Sequence, residues 1–287
     1  MALHLLIIEG NIAADRDAYR IGYGSTASEA YAATLRGLAA DAECAICFPA
    51  DPDAELPDGV ALAGYDGVFV TGSALNVYDG GPAIERQIEL ARAVFASGTP
   101  FFGSCWGLQI AATAAGGSVV KNPRGREIGL ARDIRPTQAG RAHPLLAGRG
   151  ASFSAPCSHL DHVEILPQGG VVLASNAISR VQAMQIDFGG GTFWGVQYHP
   201  EYSLREIGSI MARRAPALAR ERLFPDEAAA RAYAADLAAA EAEPGRPGLA
   251  ERLDLAADVL DRVQRRRELV NFLDAWVRPA KSARGRA

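Results

Sequence analysis

Cys105 stands at the centre of Pro100-Phe101-Phe102-Gly103-Ser104-Cys105-Trp106-Gly107-Leu108-Gln109. A strand pattern ends at Gly103 and a helical one opens by Trp106, which puts the thiol on the turn between them. Glycines two residues to either side make a G-x-C-x-G elbow, the sulfur counterpart of G-x-S-x-G. Small residues are needed because so sharp a turn brings backbone against backbone and strains its central residue. The elbow lifts the sulfur out of the sheet edge and points it along a helix N-terminus, where negative charge is stabilised. A lone cysteine is ordinarily a small buried hydrophobe; the elbow makes this one a candidate nucleophile.

A sulfur nucleophile needs a group that takes and returns protons within hydrogen-bond reach. Of the five histidines, His4 falls in the first strand, where a packed or hydrogen-bonded core role is expected, and His143 reads as a turn. His159 and His162 flank Asp161, so His159 with Asp161 is a rival pair. His199 is the better candidate. Phe193-Trp194-Gly195-Val196-Gln197-Tyr198-His199-Pro200-Glu201 is an alternating strand stopped by a proline. In extended chain, residues i and i+2 point the same way, so Glu201 can hold the ring nitrogen of His199 that faces away from the sulfur. That contact would fix the tautomer and stabilise the imidazolium.

These residues need a scaffold that brings position 105 beside position 199. The first 200 residues alternate short apolar runs with amphipathic helices, the signature of an α/β sandwich. Strands are expected at 3–8, 44–48, 67–71 and from Phe101, and helices at 28–40, 82–96 and 106–115. After Gly117 short strands follow one another, around Val119 and at 128–134, 152–155, 163–166, 171–174, 183–187 and 192–198. Gly, Pro and Asn punctuate them, so a mixed central sheet with a β-rich edge is expected. From Ser203 the chain turns rich in Ala, Arg and Glu. Long helical patterns at about 225–243 and 249–277 are separated by Pro244-Gly245-Arg246-Pro247-Gly248. Leu255, Val259, Val263, Leu269, Phe272, Leu273 and Trp276 could form the apolar stripe of the second. The division expected is a domain over 1–202 and a helical extension over 203–287 packed on it.

Composition narrows the partners. With 49% hydrophobic and 22% charged residues and a net charge of -4, the chain offers no reason to expect nucleic acid or an anionic membrane. The one dense basic run, Arg265-Arg266-Arg267, has acidic neighbours and reads as a solvated helix face. No secretory leader or membrane span is recognisable, so a cytoplasmic protein with free thiols is expected. Cys44 and Cys47 form C-x-x-C inside a strand with no second pair and no nearby histidine, so they read as core, and no metal site is expected. Cys157 reads as loop or core.

Gly-Ser-Cys-Trp-Gly-Leu-Gln followed by Gly-Val-Gln-Tyr-His-Pro-Glu closely resembles the two signatures of the class I glutamine amidotransferases, in the form seen in GMP synthase glutaminase domains. The likeness spans roughly 3–202. Arg126-Glu127-Ile128-Gly129 resembles the family's Arg-Glu-Tyr-Gly, and Ser158-His159-Leu160-Asp161 its Ser-His-Gly-Asp. Val70-Thr71-Gly72-Ser73-Ala74 through Val77-Tyr78 looks like its Ser-Gly-Gly-Pro loop. The resemblance implies a flavodoxin-like three-layer fold with a mostly parallel sheet and no cofactor. It also implies a γ-glutamyl thioester on Cys105, proton shuttling by His199 held by Glu201, and glutamine as substrate.

The same resemblance implies an oxyanion hole from N–H groups near Gly72 or Ser73 and of Trp106. Gln109 and the segment His159, Leu160 and Asp161 would help hold the substrate. Two departures stand out. Gly-Gly-Pro becomes Gly72-Ser73-Ala74, and Leu160 replaces a glycine. No P-loop and no pyrophosphatase loop of the GMP synthase kind is found in the sequence. A separate synthetase subunit receiving ammonia is therefore one reading. A free-standing γ-glutamyl hydrolase is the second, and an inactive binding module the third.

Overall fold

The computed structural model describes residues 2–285. Its strands are β1 (Leu3–Ile8), β2 (Ala42–Cys47), β3 (Gly67–Val70), β4 (Phe101–Ser104), β5 (Ser118–Lys121) and β6 (Glu127–Pro136). They continue as β7 (Phe153–His159), β8 (Asp161–Ile165), β9 (Gly170–Ser175), β10 (Ala183–Phe188) and β11 (Gly191–Val196). Nine of them form one sheet in the order β2-β1-β3-β4-β11-β10-β9-β6-β7, while β5 and β8 pair separately. The first five in that order run parallel. From β11 outward the pairing is antiparallel, beginning with the β10–β11 hairpin turned at Gly189 and Gly190, both at positive φ. The parallel heart and β-rich edge anticipated from the sequence are both present.

Alternation along the parallel strands sends side chains to two faces. Leu5, Ile7, Phe69 and Phe102 face one core with Tyr31 and Leu35, while Leu6, Ile8, Val68 and Phe101 face another with Ile84, Phe95 and Ile110. The helices that cover these faces are α2 (Ala27–Leu38) on the first, and α3 (Pro82–Ser97) with α4 (Trp106–Ala114) on the second. Thr26 starts α2 with a capping box shared with Glu29. One helix ahead of it, α1 (Ala13–Tyr23), was not anticipated: it buries only Tyr19, too little to leave a readable stripe. The short α5 (Gln138–Ala142) follows β6.

The C-terminal part begins with α6 (Leu204–Arg220) and α7 (Glu227–Ala242), packed against each other through Ile207, Met211, Ala230 and Leu237. The single helix expected over 249–277 is broken into α8 (Leu249–Leu253), α9 (Ala257–Leu260), α10 (Arg262–Arg265) and α11 (Arg267–Phe272). A π-helical turn, Leu273–Val277, and α12 (Arg278–Ala283) complete it. Aspartates stand at two of the breaks. Asp254 ends α8 at φ 49°, and the Asp261 carboxylate accepts from the Val263 and Gln264 N–H groups, competing with a continuous helical ladder.

Val263 is consequently 58% exposed and outside the stripe, whereas Val259, Leu269, Phe272 and Leu273 are buried. Phe272 meets Phe69, Phe102 and Trp194 edge-on or tilted, completing the first core. Two other expectations fail. Arg265 is buried rather than solvated, donating to Glu241 and to the Val259 carbonyl, both at 2.8 Å. His4 is exposed beside Glu43, since the helices covering Leu6 and Ile8 do not reach it. All four cysteines are free; Cys47 and Cys157 are buried, and burial pushes the Cys47 thiol up to about 12. No described helix is long and apolar enough to cross a membrane.

Candidate active site

Cys105 sits past the end of β4, between β3 and β11, at the carboxyl edge where parallel sheets present their sites. Its φ of 51° and ψ of −99° lie outside the usual regions for an L-residue, and its N–H is tied to the Val196 carbonyl at 2.7 Å. The flanking glycines are steric necessities. A Cβ on Gly103 would stand 2.7 Å from the Gly107 carbonyl carbon, and one on Gly107 2.8 Å from the Val70 oxygen. Strand, elbow and helix are thus packed backbone to backbone.

Pairing of Val196 with Ser104 aligns the ends of β11 and β4, so that His199 arrives beside Cys105. The His199 ring feels the Cys105 sulfur, which itself donates to the Ser158 carbonyl at 3.9 Å, and its Nδ1 is 2.6 Å from Glu201 Oε1. The other Glu201 oxygen accepts from Ser104 Oγ at 2.8 Å, and Ser104 in turn meets the Tyr31 hydroxyl. His199 N–H donates to the Pro156 carbonyl at 2.7 Å, and the ring stacks on Tyr202 with centroids 3.9 Å apart. Burial works against a charged imidazole here. The Glu201 charge and the hydrogen bonds to Cys105 and Glu201 outweigh it, and raise the His199 pKa to about 10. The arrangement can hold an imidazolium next to the sulfur and pass its proton to a leaving nitrogen.

Above the thiol, the loop after β3 is clamped to the loop after β1. Ser73 Oγ donates to the Gly10 carbonyl at 2.9 Å, and the Ala74 N–H donates to Asn11 Oδ1 at 2.9 Å. Asn11 is held by the buried Glu9 through its backbone and side-chain N–H groups, and the second Glu9 oxygen accepts from Ser28 N–H at 2.9 Å. A Cβ on Gly72 would be 2.6 Å from the His199 ring, so the loop can approach only as glycine. Trp106 opens α4, where first-turn N–H groups have no acceptor within the helix. Its indole donates to Gln87 at 2.7 Å.

The remaining candidates separate. Gln109 is buried, its amide 3.4 Å from the Asp161 carbonyl. The Leu160 carbonyl accepts from Asn122 N–H, and the Asp161 carboxylate, raised by burial, accepts from the Tyr78 hydroxyl at 3.0 Å. The rival pair does not form. His159 Nε2 instead meets Glu127 at 2.9 Å, and Nδ1 meets only the Asp161 carbonyl. Glu127 also gathers Asn176 and Gln182, a buried polar cluster bracing β7. Sequence reasoning passed over Ser104, Tyr202, Glu9 and Asn11. Tyr202 alone left a signal, an aromatic residue one step past His-Pro-Glu.

The sequence matches the glutamine amidotransferase class-I family over residues 23–215. The chain belongs to that family. Among curated relatives of this class-I amidotransferase, a γ-glutamyl-L-1-hydroxyisopropylamide hydrolase of Pseudomonas sp. is 40% identical over 204 residues, which cover 70% of this chain and 68% of that protein. A glutamine-hydrolysing GMP synthase of Thermomicrobium roseum is 34% identical over 147 residues, 51% of this chain but only 25% of the synthase. The match thus spans about a quarter of that larger protein. A solved glutamine amidotransferase of Thermotoga maritima superposes with a TM-score of 0.63 over 96% of this chain and 99% of that one, at 16% identity. That likeness is one of fold.

Proposed function

We propose that this chain hydrolyses γ-glutamyl amides, glutamine being the simplest, through a covalent thioester on Cys105. What supports the reading is His199, bonded to the Glu201 carboxylate and in the field of Cys105 at the strained elbow. Cys105 gives its thiol proton to His199 as its Sγ attacks the γ-carbonyl carbon. The oxyanion that forms is received by the N–H of Trp106 and those of Gly72 or Ser73, fixed donors that cost no reorganisation during the reaction. The C–N bond then breaks as His199 gives its proton to the leaving nitrogen. Water attacks the thioester, His199 takes its proton, and the S–C bond breaks to release glutamate and restore the thiol. Gln109 and the segment from His159 to Asp161 would hold the γ-glutamyl half.

Two fates of the nitrogen follow from the relatives. The GMP synthase likeness suggests ammonia handed to a separate synthetase subunit. The hydrolase likeness, over more of the chain and at higher identity, favours a second reading in which the leaving group is a larger amine. The experiment is glutamate release from glutamine and from γ-glutamyl amides by the full chain, with Cys105→Ala beside it. Turnover that falls at least about a thousandfold in that variant, with a γ-glutamyl adduct on Cys105 seen by mass in the wild type, is the expected result. Equal turnover in both proteins would end the reading.

A further inference from the structure

One pocket opens on the Gly72–Ser73 loop and His199 used in the steps above and extends beyond them. It encloses about 280 Å³, and its walls include Gly72, His199 and Tyr202 together with Asp15 of α1 and Arg213 and Arg214 of α6. Gln109, Leu160 and Asp161, assigned above to the γ-glutamyl half, contribute nothing to it. The leaving nitrogen must lie against His199, because that ring supplies its proton. Whatever the nitrogen carries therefore extends into the space that His199 borders.

Arg214 gives this space a charge. Among the described residues no carboxylate stands within ion-pair distance of its half-buried guanidinium. Glu221, whose field reaches it, is already gripped by Arg126 at 2.8 and 3.0 Å. Burial and the like charges of Arg126 and Arg213 disfavour the protonated form of Arg214, and the fields of Tyr202 and Cys105 offset them only in part. Arg213 is engaged otherwise, donating to the Ala18 carbonyl at 2.9 Å. A partly desolvated guanidinium without a partner is costly, and an anion brought by a ligand would offset that cost.

We propose that this pocket receives the amine half of the substrate and that Arg214 pairs with a carboxylate on it, making the substrate a γ-glutamyl-amino acid. The assignment rests on the thioester reading and narrows it. The bond balance is unchanged: the S–C bond forms, the C–N bond breaks, the His199 proton goes to nitrogen, and a free amino acid leaves before water enters.

Three amides of one shape test this: γ-glutamyl-alanine, γ-glutamyl-alaninol and γ-glutamyl-isopropylamide carry a carboxylate, a hydroxymethyl and a methyl at the same place. The expected kcat/KM for the alanine compound exceeds that for the isopropylamide by about ten- to a hundredfold, the worth of a charged hydrogen bond. Arg214→Gln should bring that ratio to within about threefold, and Arg214→Lys should keep part of it. Because each ratio is taken on one preparation, loss of folded enzyme cancels. Isopropylamide or alaninol turned over as well as alanine, or a ratio that survives Arg214→Gln, would overturn the assignment. So would a parallel fall of glutamine turnover in that variant, which would put the guanidinium on the γ-glutamyl half. No adduct on Cys105 with any substrate would overturn the thioester reading as well.

Discussion

At the scale of single residues, His199 and Glu201 are bound by one proton. With its pKa lifted to about 10 by Glu201 and Cys105 against burial, His199 is charged at neutral pH and able to protonate a departing amine. Glu201→Gln should lower kcat by about a hundredfold or more and shift the alkaline limb of the kcat profile downward from near 10. An unshifted limb would separate the carboxylate from the ring's titration. The same proton bears on folding. A histidine raised in the folded state stabilises fully below its unfolded value of about 6.5, and that contribution is lost as pH climbs through about 10. Thermal midpoints should therefore fall from this group between those limits in the wild type, and fall less in Glu201→Gln. The turn at Cys105 and the contact of His199 with Glu201 were readable because each is a local pattern, an elbow and an extended i, i+2 pair. Ser104, which meets Glu201 across 97 positions, and Asn11, which holds Ala74 across 63, were not. Their partners are set by strand order, and no local pattern encodes that order.

At the scale of elements, the elbow works only because β4 and α4 touch through their backbones. Gly103→Ala would put a methyl 2.7 Å from Gly107, with no side chain there to give way. The expected cost is about 1–3 kcal/mol in urea melts, with activity lost beyond the loss of folded protein as Cys105 is displaced. A fully stable, fully active variant would show the contact to be softer than its geometry. Elements were legible where one face is clearly apolar. Strands β1 and β3 and helix α3 fall within a residue or so of where alternation and the i, i+4 stripe put them. Helix α1 was invisible because only Tyr19 is buried, docked on α6 through Glu206. Two of the breaks in 249–277 had a visible mark in Asp254 and Asp261. The apolar stripe expected from Leu255 to Trp276 outweighed those two punctuating residues.

At the scale of the molecule, the C-terminal segments are joined to the site through a buried ion pair. Arg149 grips Glu268 at 2.8 Å through two nitrogens, and the same carboxylate accepts from the hydroxyl of Tyr198, the neighbour of His199. Glu268→Ala leaves Arg149 buried and unpaired, so a loss of about 3–5 kcal/mol is expected in denaturant unfolding, with kcat falling as well if Tyr198 shifts His199. A loss under about 1 kcal/mol would show the pair to be dispensable. Phe272 has a consequence of another kind. It is made some 200 residues after Phe69, yet it fills the space between Phe69 and Phe102. During synthesis, at about 5–20 residues per second, strand β3 must wait on the order of ten seconds or more with that face open. A nascent chain stalled before α11 would offer Phe69, Phe102 and Trp194 to a chaperone, and its release would be timed by the arrival of a single aromatic ring.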